Sequence, residues 1–322
     1  MTTRSPSGND ANTIVKEIDI AAPAKVVWKS LTDNHELINW LPFEADVKPG
    51  KGGSVKLSWG DPIVEESSIE VWDPDRHLRL KEARPFGVQF EPALAKFTPP
   101  RVVDYELKAN GNNTTLRLTH SGFAGTPAVP AALQAQQTSL DVAGFAEELS
   151  PLGFRNTVAA CWDYQLNALG DYCEAHVGQS RVVSWVRQPI QMSFADAWSR
   201  ISGPGPTGLL HVTSSPAVDP SHKTMFAGGL SPGDRYTFHA ATGDTFTGRV
   251  LTYTPNKQFG GTVDNLNGIL RILLSFTLGR PDVTVWLARY SGPQQKALTA
   301  ADHQWNQLFS QRWAFQLAKA MV

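Results

Sequence analysis

The chain contains no run of about 18 apolar residues that could span a bilayer. Its opening MTTRSPSGND is polar and lacks the apolar core of a signal peptide, so the expected location is cytoplasmic. Only two cysteines occur, Cys161 and Cys173, on one predicted helix. Twelve positions along a helix separate them by about 18 Å, too far for a disulfide. A zinc site lacks the ligands it needs. There is no Gly-x-Ser-x-Gly elbow, no phosphate-binding loop and no Rossmann glycine pattern, and no cofactor is expected. Neither half has the clustered Arg and Lys with interleaved aromatics of a nucleic-acid groove. Residues 179–322 contain no glutamate at all.

That last absence is part of a charge division. Residues 1–178 carry 16 Lys and Arg against 23 Asp and Glu, a net of −7, and residues 179–322 carry 13 against 7, a net of +6. Opposite halves of this kind imply an intramolecular acidic/basic contact between domains, or two surfaces that drifted independently.

The strongest local signal is Phe154–His176. Val158, Trp162, Leu166, Leu169 and Cys173 recur at steps of three and four, one face of a long helix, and Gly178 supplies a stop. Before it come a strand at Thr13–Ile20, a short helix after Pro23 with Val27, Trp28 and Leu31, and a second short helix over Asn34–Trp40. Strands are predicted at Ser54–Trp59, Ile63–Trp72 and His77–Arg84, with a hairpin of Val102–Lys108 and Thr114–His120 around Asn110-Gly111-Asn112. Residues 85–100 and 121–150 read as insertions, the second with a short helix near 131–137.

The pattern then recurs. Arg181 onward repeats the strand-to-helix step, with Trp198 in the role of Trp28. The glycine turn reappears at Leu230–Gly233, before a strand at Arg235–Ala241; Val250–Phe259 follows Glu70–Leu78; and Trp286–Gly292 follows Leu116–Gly122. A last helix, Thr299–Lys319, carries Trp305, Leu308, Phe309, Trp313 and Leu317, with Thr299 and Asp302 as its capping pair. The expectation is a tandem duplication, with domains at 1–178 and 179–322.

In its order of anchors the sequence resembles the START-like (SRPBCC) superfamily, and within it the group related to the C-terminal domain of the Hsp90 ATPase activator. The anchors are Ile18–Ile20 with Pro23 and Trp28, the Gly52-Gly53 turn, Val71-Trp72-Asp73-Pro74 with Leu78, His120-Ser121-Gly122, and Trp162 with Leu166. The resemblance implies an α+β chain of two helix-grip domains, each a curved antiparallel sheet around a long C-terminal helix. It also implies a cavity between sheet and helix that commonly takes apolar small molecules. The insertions, and GPGPTG at 203–208, are departures at the expected pocket mouths.

Period-two reading nominates the cavity lining. Leu116, Leu118 and His120 share one strand face, opposite Val103, Tyr105 and Leu107. His120 is either a hydrogen-bond or proton donor to a ligand, with Tyr105 as a second candidate, or a strand-end histidine satisfied by backbone or water. Tyr290, with Trp286 and Ala288, stands at the matching place in the second half. Trp59 and its counterpart His239 lie at the inward end of a strand whose face Arg235 shares on the same count, unless a one-residue slip turns them outward. Trp162 is expected at the base of the first pocket. Trp40, Trp72, Trp305 and Trp313 either line pockets or fill cores. Glu65 and Glu66 are adjacent on a strand, so at most one points inward.

The leading expectation is therefore binding of an apolar or aromatic small molecule under the 121–150 segment. The alternatives are a cyclase- or dehydratase-like enzyme using His120 or Tyr105 and, last, a chaperone-interacting module.

Overall fold

The computed structural model describes residues 11–59, 64–84, 100–123, 151–202, 210–211, 230–277, 280–293 and 299–321. They divide into two compact units, one ending at Gly178 and the other starting at Gln179. The predicted helix at 131–137, most of both insertions and GPGPTG lie outside the described residues.

The first unit opens with β1 (Thr13–Ile20), α1 (Ala24–Thr32) and α2 (Asn34–Leu37). Strands β2 (Glu44–Lys48), β3 (Ser54–Ser58), β4 (Val64–Asp73), β5 (His77–Arg84), β6 (Val102–Asn110) and β7 (Asn113–Ser121) follow, and α3 (Pro151–Asp171) closes the unit. All seven strands form one antiparallel sheet in the order β1-β7-β6-β5-β4-β3-β2. Local chemistry explains the turns. Asp75 takes a positive φ of 65° between β4 and β5, and Gly111 one of 67° between β6 and β7, conformations that Asp, Asn and Gly tolerate best. Asp33 caps α2 by accepting from the backbone N–H of His35 and Glu36.

The grip is made along β1. Ile14, Ile18 and Ile20 are fully buried, and Lys16 on the same face pairs with Asp163 of α3 at 2.8 Å. Arg155 of α3 donates to the backbone carbonyl of Thr13 at 2.6 Å, tying the start of the helix to the start of the strand. Of the predicted stripe, Trp162, Leu166, Leu169 and Cys173 are buried and Val158 is half-buried. The helix then passes into a π-helical turn, Tyr172–His176, where the Tyr172 hydroxyl donates to the buried Glu36 carboxylate.

The second unit repeats the topology. Strand β8 (Gln179–Pro189) and α4 (Phe194–Ser202) precede β9 (Leu210–His211), β10 (Arg235–Ala240), β11 (Thr245–Thr254), β12 (Gln258–Val263), β13 (Gly268–Thr277) and β14 (Arg280–Pro293), with α5 (Ala300–Ala320) last. The sheet order is β8-β14-β13-β12-β11-β10-β9, the same permutation as in the first unit. The chain is thus α+β, two successive helix-grip sheets, as the anchor order implied.

The core of the second unit is aromatic. Phe238, Phe246, Phe259 and Trp313 are all essentially inaccessible. Gly261 makes room for this, since a Cβ there would come within 2.5 Å of the Tyr236 ring. Helix α5 begins with the capping box foreseen at Thr299 and Asp302 and buries Phe309, Trp313 and Leu317. Leu308, placed in that stripe by spacing alone, is 47% exposed.

Candidate functional site

The rows of side chains facing α3 follow from register. Across β1, β7, β6 and β5, Ile14 pairs with His120, His120 with Val103, and Val103 with Leu80. One pleat along, Lys16 pairs with Leu118, Leu118 with Tyr105, and Tyr105 with Leu78. Leu78, Leu80, Val103, Leu116 and Leu118 are buried, so this face is apolar over most of its width. At one end it turns polar. Leu78 and Leu80 lead by period two to Glu82, and Tyr105 and Val103 lead back to Arg101; both charged residues are buried, Arg101 with 1% of its surface exposed. The backbone N–H of Glu82 donates to the carbonyl of Arg101 at 2.9 Å, which sets the two side by side.

These residues form a relay with His120 and Trp162. The indole N–H of Trp162 donates to His120 Nδ1 at 3.0 Å. That leaves Nδ1 as the acceptor, so the neutral ring carries its proton on Nε2. Nε2 lies 3.2 Å from Glu82 Oε1, off the line of a well-aligned hydrogen bond, and Arg101 Nε donates to Glu82 Oε2 at 2.9 Å. The motif His120-Ser121-Gly122 has a local reason. Gly122, at φ 98°, passes so close to the Arg101 backbone that a Cβ on it would lie 3.0 Å from the Arg101 Cα. That close passage brings Phe123 under the Arg101 guanidinium at 5.6 Å and against the His120 ring at 4.7 Å.

Electrostatics assigns protonation states. Burial, with Arg101 adding to it against the pull of Glu82, holds the His120 imidazole below its ordinary value, so it is neutral. Burial pushes Glu82 up, but His120 and Arg101 outweigh it, and the carboxyl stays ionised. Glu65 on β4 behaves oppositely: burial and the Glu82 carboxylate push it up to about 8, against the Arg101 charge. Tyr105 is raised too, by burial and then by Glu65 and Glu82, and stays a phenol. Its ring stands edge-on to Trp162 at 6.1 Å.

The structure thus brings together four of the nominated residues, Tyr105, Leu118, His120 and Trp162. Trp59 is half-buried, just past the end of β3. The nominees of the second unit require correction. Tyr236 and Phe238 take the inward face of β10, so Arg235 and His239 alternate outward. Arg235 pairs with Asp264 at 2.9 Å, and His239 Nδ1 lies 3.0 Å from the Thr245 hydroxyl. On β14, Leu287 pairs with Ser184, whose hydroxyl donates to the Asn306 carbonyl of α5 at 3.0 Å. Val285, Leu287 and Arg289 therefore face α5, and Trp286 and Tyr290 face away from it. Matching Trp286–Gly292 to Leu116–Gly122 residue for residue is off by one, which reverses every side chain. Arg289 occupies the inward place, paired with Asp302 at 2.6 Å over the Trp305 ring.

Glu82, Arg101 and the inward turn of Glu65 escaped the sequence reading. Glu82 and Arg101 each continue a buried apolar row by two residues, which is the signal the sequence carries for them; Glu65 follows the half-buried Ser67 and has no such cue.

Among the described residues no group of three or more His, Cys, Asp or Glu could hold a metal ion. No described helix is long and apolar enough to cross a membrane. No curated protein matches the chain. Among solved structures, protein MLL2253 from Mesorhizobium loti is 23% identical, over 49% of this chain and 93% of that one, with a TM-score of 0.34. The Aha1 dimer from Colwellia psychrerythraea is 18% identical over 51% and 96%, at 0.36. DynU16, a protein of the dynemicin biosynthetic locus, is 13% identical over 97% and 98%, at 0.34. Residues 21–146 match the family model described as Activator of Hsp90 ATPase homolog 1-like protein. Across those residues, then, the chain is similar to that family.

Proposed function

We propose that the first unit binds an apolar or aromatic small molecule between its sheet and α3, against Tyr105, Leu118, His120 and Trp162. The observation that carries this reading is the buried relay Trp162–His120–Glu82–Arg101 at the end of an otherwise apolar face. A core selected for stability alone is served as well by apolar residues of equal volume, because desolvating an ion pair offsets its attraction. Few, fixed polar groups at the end of an apolar surface are the usual composition of a small-molecule site. Native mass spectrometry of the full chain with fluorene tests the reading: one bound molecule per chain is expected. Absence of any adduct up to the solubility limit counts against it.

One observation favours a second reading, acid–base catalysis on the bound molecule. Glu65, at about 8, can take up and release a proton near neutrality beside the Tyr105 phenol. In that case His120→Ala abolishes turnover while binding persists; unchanged turnover removes His120 from the mechanism. A chaperone-directed role ranks below both, and stimulation of a chaperone ATPase by the purified protein would reverse that order.

A further inference from the structure

Helix α5 carries a second stripe of side chains, on its outward side. The first, Phe309, Trp313 and Leu317, is buried against the sheet. The second runs Ala301, Gln304, Leu308, Gln311, Phe315 and Ala318 at alternating steps of three and four, and its two large apolar members are open to solvent, Leu308 at 47% and Phe315 at 68%. Such alternation is the seam along which one helix lies on another. Beside Phe315 the surface is hollow. Gln311, Arg312, Phe315 and Gln316 face Ala241 and Thr242, in the turn between β10 and β11, across a groove of about 520 Å³.

Charge on this side of α5 has one sign. Asp302, the single acidic residue of the helix, is engaged inward by Arg289 and by the Thr299 cap. Arg312 and Lys319 stand at the positions flanking the seam, exposed and with no ion-pair partner among the described residues. The exposed Arg200 adds a third cation at the end of the helix, donating to the Ala320 carbonyl at 3.2 Å. The Asp244 carboxylate, behind the groove, accepts from the Thr242 hydroxyl at 2.6 Å.

We propose that the outward face of α5 is a docking surface for an acidic amphipathic helix of a partner protein. The partner's apolar side chains lie along Leu308 and Phe315, one of them seated in the groove, and its carboxylates stand opposite Arg312 and Lys319. Complementary charge at the flanking positions selects the partner, and the apolar seam supplies the affinity. A second copy docking through its own α5 would bring Arg312 and Lys319 onto their like, with no acidic side chain on either helix face to relieve them. A bilayer is a poorer match as well. Its apolar interior favours an unbroken apolar face, whereas here the Gln304 and Gln311 amides alternate with Leu308 and Phe315.

The test uses the full chain and two dye-labelled three-heptad helical peptides, followed by fluorescence anisotropy. Both peptides carry leucine at the seam positions; one has glutamate and the other lysine at the flanking positions. The glutamate peptide is expected to bind and the lysine peptide not to. Leu308→Ala and Phe315→Ala, at exposed positions that leave the core intact, should each weaken the glutamate peptide about tenfold. Arg312→Glu combined with Lys319→Glu should reverse the preference between the two peptides, an outcome that lost stability cannot produce. No binding of the glutamate peptide at about 1 mM, equal binding of both peptides, or unchanged affinity in Phe315→Ala overturns the proposal. So does either other occupant: phosphatidylserine vesicles that bind through Phe315 while the peptide does not, or a dimer in sedimentation that Leu308→Ala and Phe315→Ala return to monomer.

Discussion

At the scale of single residues, the account turns on a charge that cannot leave. Arg101 is almost fully buried and its guanidinium cannot be neutralised by losing a proton, so Glu82 is obligatory wherever Arg101 remains. Glu82→Ala strands that charge and should cost about 3–5 kcal/mol in denaturant unfolding. Replacing both together, Glu82→Met with Arg101→Leu, should restore most of the loss. His120 gives a second prediction. Because its folded pKa lies below the 6.5 of a free histidine, the unfolded chain takes up the proton first as pH falls. The stability held by neutral His120 is therefore full above about 6.5 and declines as pH drops from there toward the folded value. Trp162→Phe keeps the ring but removes the donor to Nδ1, letting that nitrogen accept a proton. The folded pKa should rise and this part of the acid-induced decline should shrink, readable as a difference between the two proteins' unfolding free energies at pH 7 and pH 5. None of this was legible from the residues alone. His120 could be nominated from its strand face, but its partners lie 38 and 42 positions away on β5 and α3, and only register brings them within reach.

Among elements, legibility was highest where the periodic signal was long. The gripping helix declared itself through five apolar residues at helical spacing, and its burial follows that stripe. Helix α5 was readable at both levels, stripe and cap. Thr299→Ala should remove the hydroxyl that accepts from the Asp302 N–H at 3.2 Å and donates to the Asp302 carboxylate at 2.7 Å, lowering stability by about 1 kcal/mol. Trp313→Ala, at zero exposure beside Phe246 and Phe309, should cost about 3–5 kcal/mol, a difference that thermal unfolding separates easily from the cap. Strands were the weaker case. A strand has only two faces, so one slipped residue exchanges all its assignments, and that is what happened on β14 and β10. Strand β7 escaped this error because Leu116, Leu118 and His120 alternate with the exposed or half-buried Arg117 and Thr119. Strand β14 gives no such cue, since residues on both of its faces are buried.

For the molecule as a whole, the duplication was readable because it is carried by the order of anchors and not by any one of them. Two sheets with the same strand permutation, each followed by a 21-residue helix, are what that order foretold. Duplication of the fold has not duplicated the site. Where the first unit sets neutral His120 against Trp162, the second sets Arg289 over the Trp305 ring and pairs it with Asp302 through one guanidinium nitrogen. The account therefore expects binding in the first unit alone. The most direct measurement is the indole N–H resonance of Trp162 in the 15N-labelled full chain, followed while fluorene is added. The account predicts a saturable shift of Trp162, with the buried Trp313 of the second unit unmoved. A titration that leaves Trp162 in place, or that moves Trp313 and not Trp162, would contradict it.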